Sequence, residues 1–574
     1  MTLWRKLAAK SPAEVIFRLR QEAVNLLLLG FPPTPPPLAA APLAGLPPVD
    51  DPPDLLSLAQ SILGGEIPLL GYVLKTAEPL PWRTDWLRDR TSPITYFRRI
   101  PYLDCEAVGD HKLIWELNRH QHLVVLAQAF RQSRQPELLA TIERQLTHWM
   151  NENPFQQSIN WTSALEVAFR ALSWIWIHHF AGAEFSADFA HRFQTVLYRH
   201  GAHLAANLSI YFSPNTHLLG EAVALHAIGA LFPDWPSATT WCALGREQTL
   251  AQMVRQVRPD GSHFEQSSYY HVYSVDLFRF HSQIEPAPPS YLASLARMDQ
   301  YLSALTGPDG RMPFFGDDDG GRLFHPYGDR SRFGGAPPGL EARYFPDSGL
   351  CVMVHGQRRV WIDAGPFGAE SAGHSHADTL SVVVSDDDRE LLIDPGTYTY
   401  TGDAEWRERF RSSAAHSTIS FEGREQAIAA GPFRWLDPPR TAVDLWTGDH
   451  LDARCEYGGF THRRRVWWTD PDLLLIVDDL AGPPEAVVRQ TWRPSSPSVP
   501  LLFSHPWVIE EAWRSRVHGA KEPAPAWVVN VRGPLPLRLA AALDFTGQAS
   551  ELRLDGEGIW LDGQLRLRLP ADTQ

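Results

Sequence analysis

Near residue 340 the period of the hydrophobic pattern changes, and this change constrains the fold more than any other feature of the chain. From about residue 110 to 305, apolar residues recur at helical spacing. The segment PELLATIERQLTHWMNEN sets Leu138, Leu139, Ile142, Leu146 and Trp149 on one face, with polar residues opposite. Pro136 stands near the start of this helix, where its missing N–H costs little. NWTSALEVAFRALSWIWIHHF repeats the pattern with Leu165, Ala168, Phe169 and Leu172. Further helices are expected over 188–209, 217–231, 244–257, 270–281 and 289–305. Helices of similar length in succession predict a solenoid or a closed toroid of hairpins.

Beyond residue 340 the runs GLCVMVHGQRRVWIDAG, TLSVVVSDDDRELLIDPG and HRRRVWWTDPDLLLIVDDLAG read as strands broken by Asp-Asp, Pro-Asp and Gly turns. ELRLDGEGIWLDGQLRLRLP alternates with period two and turns at Asp-Gly, as a closing antiparallel meander does. Helical crossovers are missing, so a sandwich of antiparallel sheets is expected rather than a parallel α/β domain. The expected division is an N-terminal helix and Pro-rich arm over 1–55, a helical domain over 56–335 and a β-sandwich over 336–574.

The arm FPPTPPPLAAAPLAGLPPVDDPPD cannot continue a helix, because Pro lacks a donor and blocks the turn. It reads as a linker or a loosely wrapped arm. The segment before it is expected to be an amphipathic helix docked on its own protein. Its longest apolar run, around Val24 to Leu29, follows Glu22 and lacks the form of a signal peptide. No stretch approaches the length needed to span a bilayer. Action in the cytoplasm or beside surface-polysaccharide machinery is the expectation. A formal charge of -14 argues against a general nucleic-acid binder, yet leaves room for an anionic substrate served by a local Arg cluster. The four cysteines, Cys105, Cys242, Cys351 and Cys455, are far apart and form no CxxC, so neither a disulfide framework nor a zinc-thiolate site is expected.

Four stretches carry candidate chemistry. YFSPNTHLLGEAVAL holds Asn215, His217 and Glu221, with Ser213 placed to cap the helix that follows. A neutral His at such a helix start has its pKa held down by the dipole. DGSHFEQSSYYHVYSVDLFRF packs His263, Glu265, Tyr269, Tyr270, His271 and Tyr273 into eleven residues, more polar aromatics than a buried stripe needs. Tyr270 and His271 look placed for proton transfer. FFGDDDGGRLF carries Asp317, Asp318 and Asp319; it reads as a solvated turn and does not fit a calcium loop. In SAGHSHADTLSVVVSDDDRELLIDPGTYTY, His374 and His376 are two apart and would share a face of a strand. Asp394 follows His376 by 18 residues, and His416 follows His376 by 40. His, Asp and His from neighbouring strands suit zinc with water in a fourth place; a hydrogen-bonded His/Asp network at a sheet edge is the alternative.

The ordered set SPNTHLLGEA, DGSHFEQSSYYH, GHSHADTLS, LLIDPGTYTY and RFRSSAAHSTI resembles the heparinase II/III family of polysaccharide lyases, whose relatives include some alginate lyases. The resemblance runs from roughly residue 110 to 500. It implies an N-terminal (α/α) toroid, a C-terminal antiparallel β-sandwich and an acidic polysaccharide substrate cleaved by β-elimination at a uronic acid. It gives Tyr270 the acid role, and the base role for one epimer. His374 or His217 is then the base for the other, and Asn215 and His217 bind the carboxylate. It points to a structural Zn2+ on His376, Asp394 and His416, with His374 turned to the substrate. The family's adjacent Asn-Asn-His is here Asn215-Thr216-His217, and Thr216 is a weaker substitute for an amide. Arg407, Arg409 and Arg411, with Arg170 and Arg258, are candidates for anion binding, since the guanidinium fork pairs well with carboxylate or sulfate. Arg411 is the strongest of these for substrate contact, and Arg170, Trp161, Glu166, Glu265 and His271 are further candidates. Two other readings stand beside the lyase. One is a hydrolase using Glu265 and Asp317 as paired carboxylates. The other is a catalytically silent polysaccharide-binding protein with His376, Asp394 and His416 as fold support.

Overall fold

The computed structural model describes residues 10–38, 42–324, 327 and 339–569. Packing divides the chain into two units. One holds the residues up to Arg255 together with Tyr273–Ala293 and 321–324. The other holds Gln256–Val272, Ser294–Gly320 and the β-rich sequence that follows. The chain therefore changes unit within three helices, at the end of Ala238–Gln256 and inside Ser268–Ile284 and Pro289–Leu305, well before the composition switch.

In the helical unit, Gln121–Ser133, Pro136–Glu152, Ala164–Ala181, Ala187–Asn207, Thr216–Leu231 and Ala238–Gln256 succeed one another, as the period predicts. The last begins a turn and more before the expected residue 244, because Trp241 is buried against Gly201 and extends the inward face. Ser163 caps the Ala164–Ala181 helix by accepting the Glu166 N–H. This helix is apolar almost all round and correspondingly buried, packed between the Gln121–Ser133 and Thr216–Leu231 helices.

The Pro12–Gly30 helix docks on its own protein, as expected. Ser11 caps it, accepting from Glu14 N–H at 3.2 Å. Its buried Asn25 exchanges amide hydrogen bonds with Asn207, both at 2.8 Å, and accepts from Gln156 at 2.8 Å. The Pro-rich arm is tied rather than loosely wrapped. Gln194 accepts the Leu38 N–H at 2.8 Å and donates to its carbonyl at 2.9 Å, and His179 accepts the Leu43 N–H at 3.0 Å.

The second unit is built on antiparallel sheets. A five-stranded meander runs in sequence order through Arg343–Phe345, Leu350–His355, Arg358–Asp363, Val382–Asp386 and Arg389–Leu392. A six-stranded sheet is built around Phe460–Asp470 and Leu473–Ala481, and a four-stranded sheet around Glu485–Trp492 and Ala526–Pro534. Alternate residues such as Met353, Val360, Ile362, Val466, Ile476 and Ala541 face one shared core. The closing meander turns at Asp562 and Gly563, both at positive φ, as a two-residue hairpin loop requires.

Candidate active site

The Asn215 region lies in the helical unit. Asn215 is the cap of the Thr216–Leu231 helix, its Oδ1 accepting the His217 N–H at 3.1 Å; the expectation that Ser213 caps is corrected. Thr216, the first helical residue, is buried, whereas His217 is partly exposed. One turn on, buried Glu221 accepts from Ser209 N–H at 2.7 Å and from its hydroxyl at 2.6 Å, which fixes the loop leading to Asn215. Burial pushes the Glu221 carboxyl up to about 8, against the pull of those two hydrogen bonds. The folded chain then holds a proton that the unfolded chain has released. Stability is expected to fall as pH rises from about 5 to 8, by up to about 1.4 kcal/mol per unit for this group. Denaturant midpoints across that range measure the slope, and Glu221→Gln is expected to flatten it.

Five expected substrate contacts are held by internal partners. Arg170 is 0% exposed and Trp161 1%. The Arg170 guanidinium lies over the Trp149 and Trp161 rings at 4.8 and 5.3 Å and donates to His200 and to the Asn160 carbonyl. His271 bonds the Met298 carbonyl at 3.0 Å, and burial lowers its pKa to about 4. Arg411 lies over the Trp435 ring at 4.4 Å, donates to the Gly431 and Pro432 carbonyls and pairs with Glu408. Each is held by internal partners. Glu166 takes both oxygens to Arg119, at 2.7 and 2.8 Å.

The reactive groups converge within the β-rich unit. Tyr270 sits in the first turn of the Ser268–Ile284 helix. Ser267 Oγ accepts its N–H at 3.2 Å and donates to the Asp317 carbonyl at 2.7 Å. The Tyr270 ring stacks on His374 with centroids 3.7 Å apart and planes 20° apart. The Tyr400 hydroxyl stands 3.3 Å from that of Tyr270. Tyr270 and His374 retain 6% and 8% exposure. Burial, with the charge of Asp319, holds the Tyr270 phenol well above its ordinary pKa, so it stays protonated.

His374 and His376 lie in an irregular loop rather than on a strand, so they need not share a face. They reach opposite oxygens of one carboxylate, Asp317: His374 Nδ1 at 3.1 Å from Oδ2 and His376 Nε2 at 2.9 Å from Oδ1. Arg407 clamps the same carboxylate with both terminal nitrogens, one of them at 2.8 Å. Burial alone would raise the Asp317 carboxyl. The Arg407 charge and the two histidines outweigh it and hold the carboxyl well below its ordinary value. Asp317 is thus no solvated turn residue. Gly316 at φ +70 lets this segment pass close to His374, whose carbonyl would sit 2.5 Å from a Cβ there. Glu265 completes the surround, 3.5 Å from His374 Nε2.

Behind this pair lies a donor set suited to a metal. His376 Nδ1, His416 Nε2 and Asp378 Oδ2 are buried without hydrogen-bond partners. His376, Asp378 and His416 bring their ligand atoms within 4.8 Å of one another. Asp394, expected as the carboxylate ligand, instead accepts from His416 Nδ1 at 3.0 Å, which turns His416 Nε2 toward the other two. Burial and mutual repulsion push the neighbouring Asp363 and Asp378 carboxyls up, Asp363 to about 8. Three orphaned donors among crowded carboxyls fit a divalent cation.

Two family models match this chain: heparinase II/III N-terminus over residues 84–322, and heparinase II/III-like, C-terminal, over 337–557. A heparin-sulfate lyase from Bacteroides stercoris is 22% identical over 441 residues, 65% of this chain and 63% of that protein. The chain thus spans less than two thirds of that relative's length. Among solved structures, a heparinase III covers 78% of this chain and 82% of its own at TM-score 0.63 and 16% identity. The heparan sulfate lyase HepC from Pedobacter heparinus covers 98% and 95% at TM-score 0.55 and 18% identity. These likenesses carry the fold, an (α/α) toroid followed by an antiparallel β-sandwich.

Proposed function

The chain belongs to the heparinase II/III family, and on that premise we propose that it is a polysaccharide lyase cleaving a uronate-containing glycan by β-elimination. The observation that carries this reading is the stack of a protonated phenol, Tyr270, on an imidazole whose other edge is fixed by Asp317. Elimination moves the C5 proton to a base, forms C4=C5, breaks C4–O and protonates the departing oxygen. With Nδ1–H donated to Asp317, His374 carries its lone pair on Nε2, where a base is needed. The Tyr270 hydroxyl supplies the proton to the leaving oxygen, with the Tyr400 hydroxyl setting its direction.

A uronate carboxylate opposes charge at C5 until donors neutralise it. Arg407 and Arg411 are committed to internal partners, which leaves neutral donors as candidates for this task. Asn215 and His217 are the residues proposed for it. The hydrolase reading loses support because Asp317, one of its two carboxylates, is locked by Arg407 and two histidines and cannot cycle a proton.

A divalent ion, zinc by its imidazole and carboxylate donors, would be held by His376, Asp378 and His416 with Asp394 orienting His416. When bound it supplies a structural cross-link and offsets the crowded carboxyl charge.

The test is ultraviolet absorbance on heparan sulfate, heparin, alginate, hyaluronan, chondroitin and bacterial exopolysaccharides. The printed name of the solved relative HepC puts heparan sulfate first. A rise from the unsaturated product, absent in His374→Ala, is expected with at least one polymer. Folded, zinc-supplied protein that retains polymer without any rise would instead be a binding protein.

A further inference from the structure

We infer that the helical unit holds a metal site of its own, in which His226, Cys242 and Glu285 bind a thiophilic divalent ion such as Zn2+. His226 lies on the Thr216–Leu231 helix, Cys242 on Ala238–Gln256, and Glu285 directly follows Ser268–Ile284. Their ligand atoms lie within 4.8 Å of one another. None takes part in the proposed elimination. The wide spacing of the cysteines hid this cluster, since its ligands come from two helices and the residue that follows a third.

Two glycines bring the ligands together. A Cβ on Gly229 would sit 2.4 Å from Cys242 N, and one on Gly245 2.4 Å from His226 N. The helices therefore cross backbone to backbone at the cluster, and that closeness sets the thiol beside the imidazole. The site is open on one side: His226 is buried, while Cys242 and Glu285 are partly exposed. An ion can enter, and the two exposed side chains can turn to bring their atoms to bonding distance.

The surroundings orient the ligands. His226 Nε2 faces Glu285 Oε2 at 2.9 Å, and His226 Nδ1 faces His281 Nδ1 at 3.0 Å. Arg246 takes the far oxygen of Glu285, Oε1, at 2.6 Å, leaving Oε2 turned inward. For His226 Nε2 to ligate, its proton moves to Nδ1 and is donated to His281 Nδ1, the outer-ligand arrangement usual for metal-bound histidine. His281 then carries its own proton on Nε2, and neither ring gains or loses charge. Only the Cys242 thiol releases a proton. Thiolate, imidazole and one carboxylate with a fourth position for water match zinc, and the sulfur and nitrogen donors disfavour calcium and magnesium.

Cobalt(II) is the probe, because a cobalt–thiolate bond absorbs in the near ultraviolet and the His376/Asp378/His416 cluster contains no sulfur. Metal-stripped full-length protein is titrated with Co2+, then with Zn2+. In His376→Ala, where the second cluster lacks a ligand, one equivalent is expected to develop the thiolate band, release one proton in weak buffer and be displaced by Zn2+. Cys242→Ser, checked for fold by circular dichroism, is expected to lose the band entirely. Glu285→Gln is expected to weaken Co2+ binding at least tenfold, and His376→Ala to leave the band intact. Absence of a thiolate band in folded wild type, or its survival in Cys242→Ser, overturns the site. Neither result depends on lyase activity.

Discussion

Replacing Tyr270 with Phe is expected to lower turnover by about 10²–10⁴-fold, the usual contribution of a positioned acid or base. Phe keeps the ring that stacks on His374 and removes only the hydroxyl beside Tyr400. The melting midpoint should therefore stay near that of the wild type. Initial rates of unsaturated product at saturating polymer measure the effect. Because burial holds the phenol protonated well above its ordinary range, activity should not fall at the pH where a free tyrosine ionises. Turnover that survives the substitution would remove the phenol from the reaction and leave His374 without a partner acid.

The second large effect is expected at Asp317. Asp317→Ala leaves the Arg407 guanidinium, 1% exposed, without its carboxylate. Removing one partner of a buried pair typically costs about 3–5 kcal/mol. The same change frees His374 and His376 from their common acceptor, so activity should vanish in whatever fraction stays folded. Denaturant midpoints test the stability arm. The double variant Asp317→Leu, Arg407→Met should recover part of the lost stability, because no charge is then stranded. It should recover no activity, because His374 still lacks the group that fixes its tautomer. A double variant no more stable than Asp317→Ala would mean that packing, not stranded charge, sets the cost.

The architecture was legible because it rests on local periodicity. Leu138, Ile142, Leu146 and Trp149 are buried on one helix face as their spacing predicts. Asp562-Gly563 turns the last hairpin as its residue types predict. Tyr270, His374, His376 and His416 stood out because reactive side chains crowd a short motif. Asp317 did not, because an acidic run beside glycine has the composition of a solvated turn. Its burial comes from Arg407, 90 residues away. The exchange of Asp378 for Asp394 has a similar origin. Spacing brings both carboxylates near His416, and only the fold shows which one that ring uses as an acceptor. For Arg170, Trp161, His271 and Arg411 the sequence shows the side chain's chemistry and not the internal partners that the fold gives it.

The passage of the chain between units has a consequence for modularity. The strands after residue 340 look like a cassette that could be recombined with other helical partners. Yet Tyr270 and Asp317, which complete the chemistry of His374, reach that unit on Gln256–Val272 and Ser294–Gly320, segments encoded within the helical half. A graft cut at the composition switch would carry the imidazoles and leave the phenol and the carboxylate behind. An exchange of the two halves that is meant to preserve this site must include those two segments.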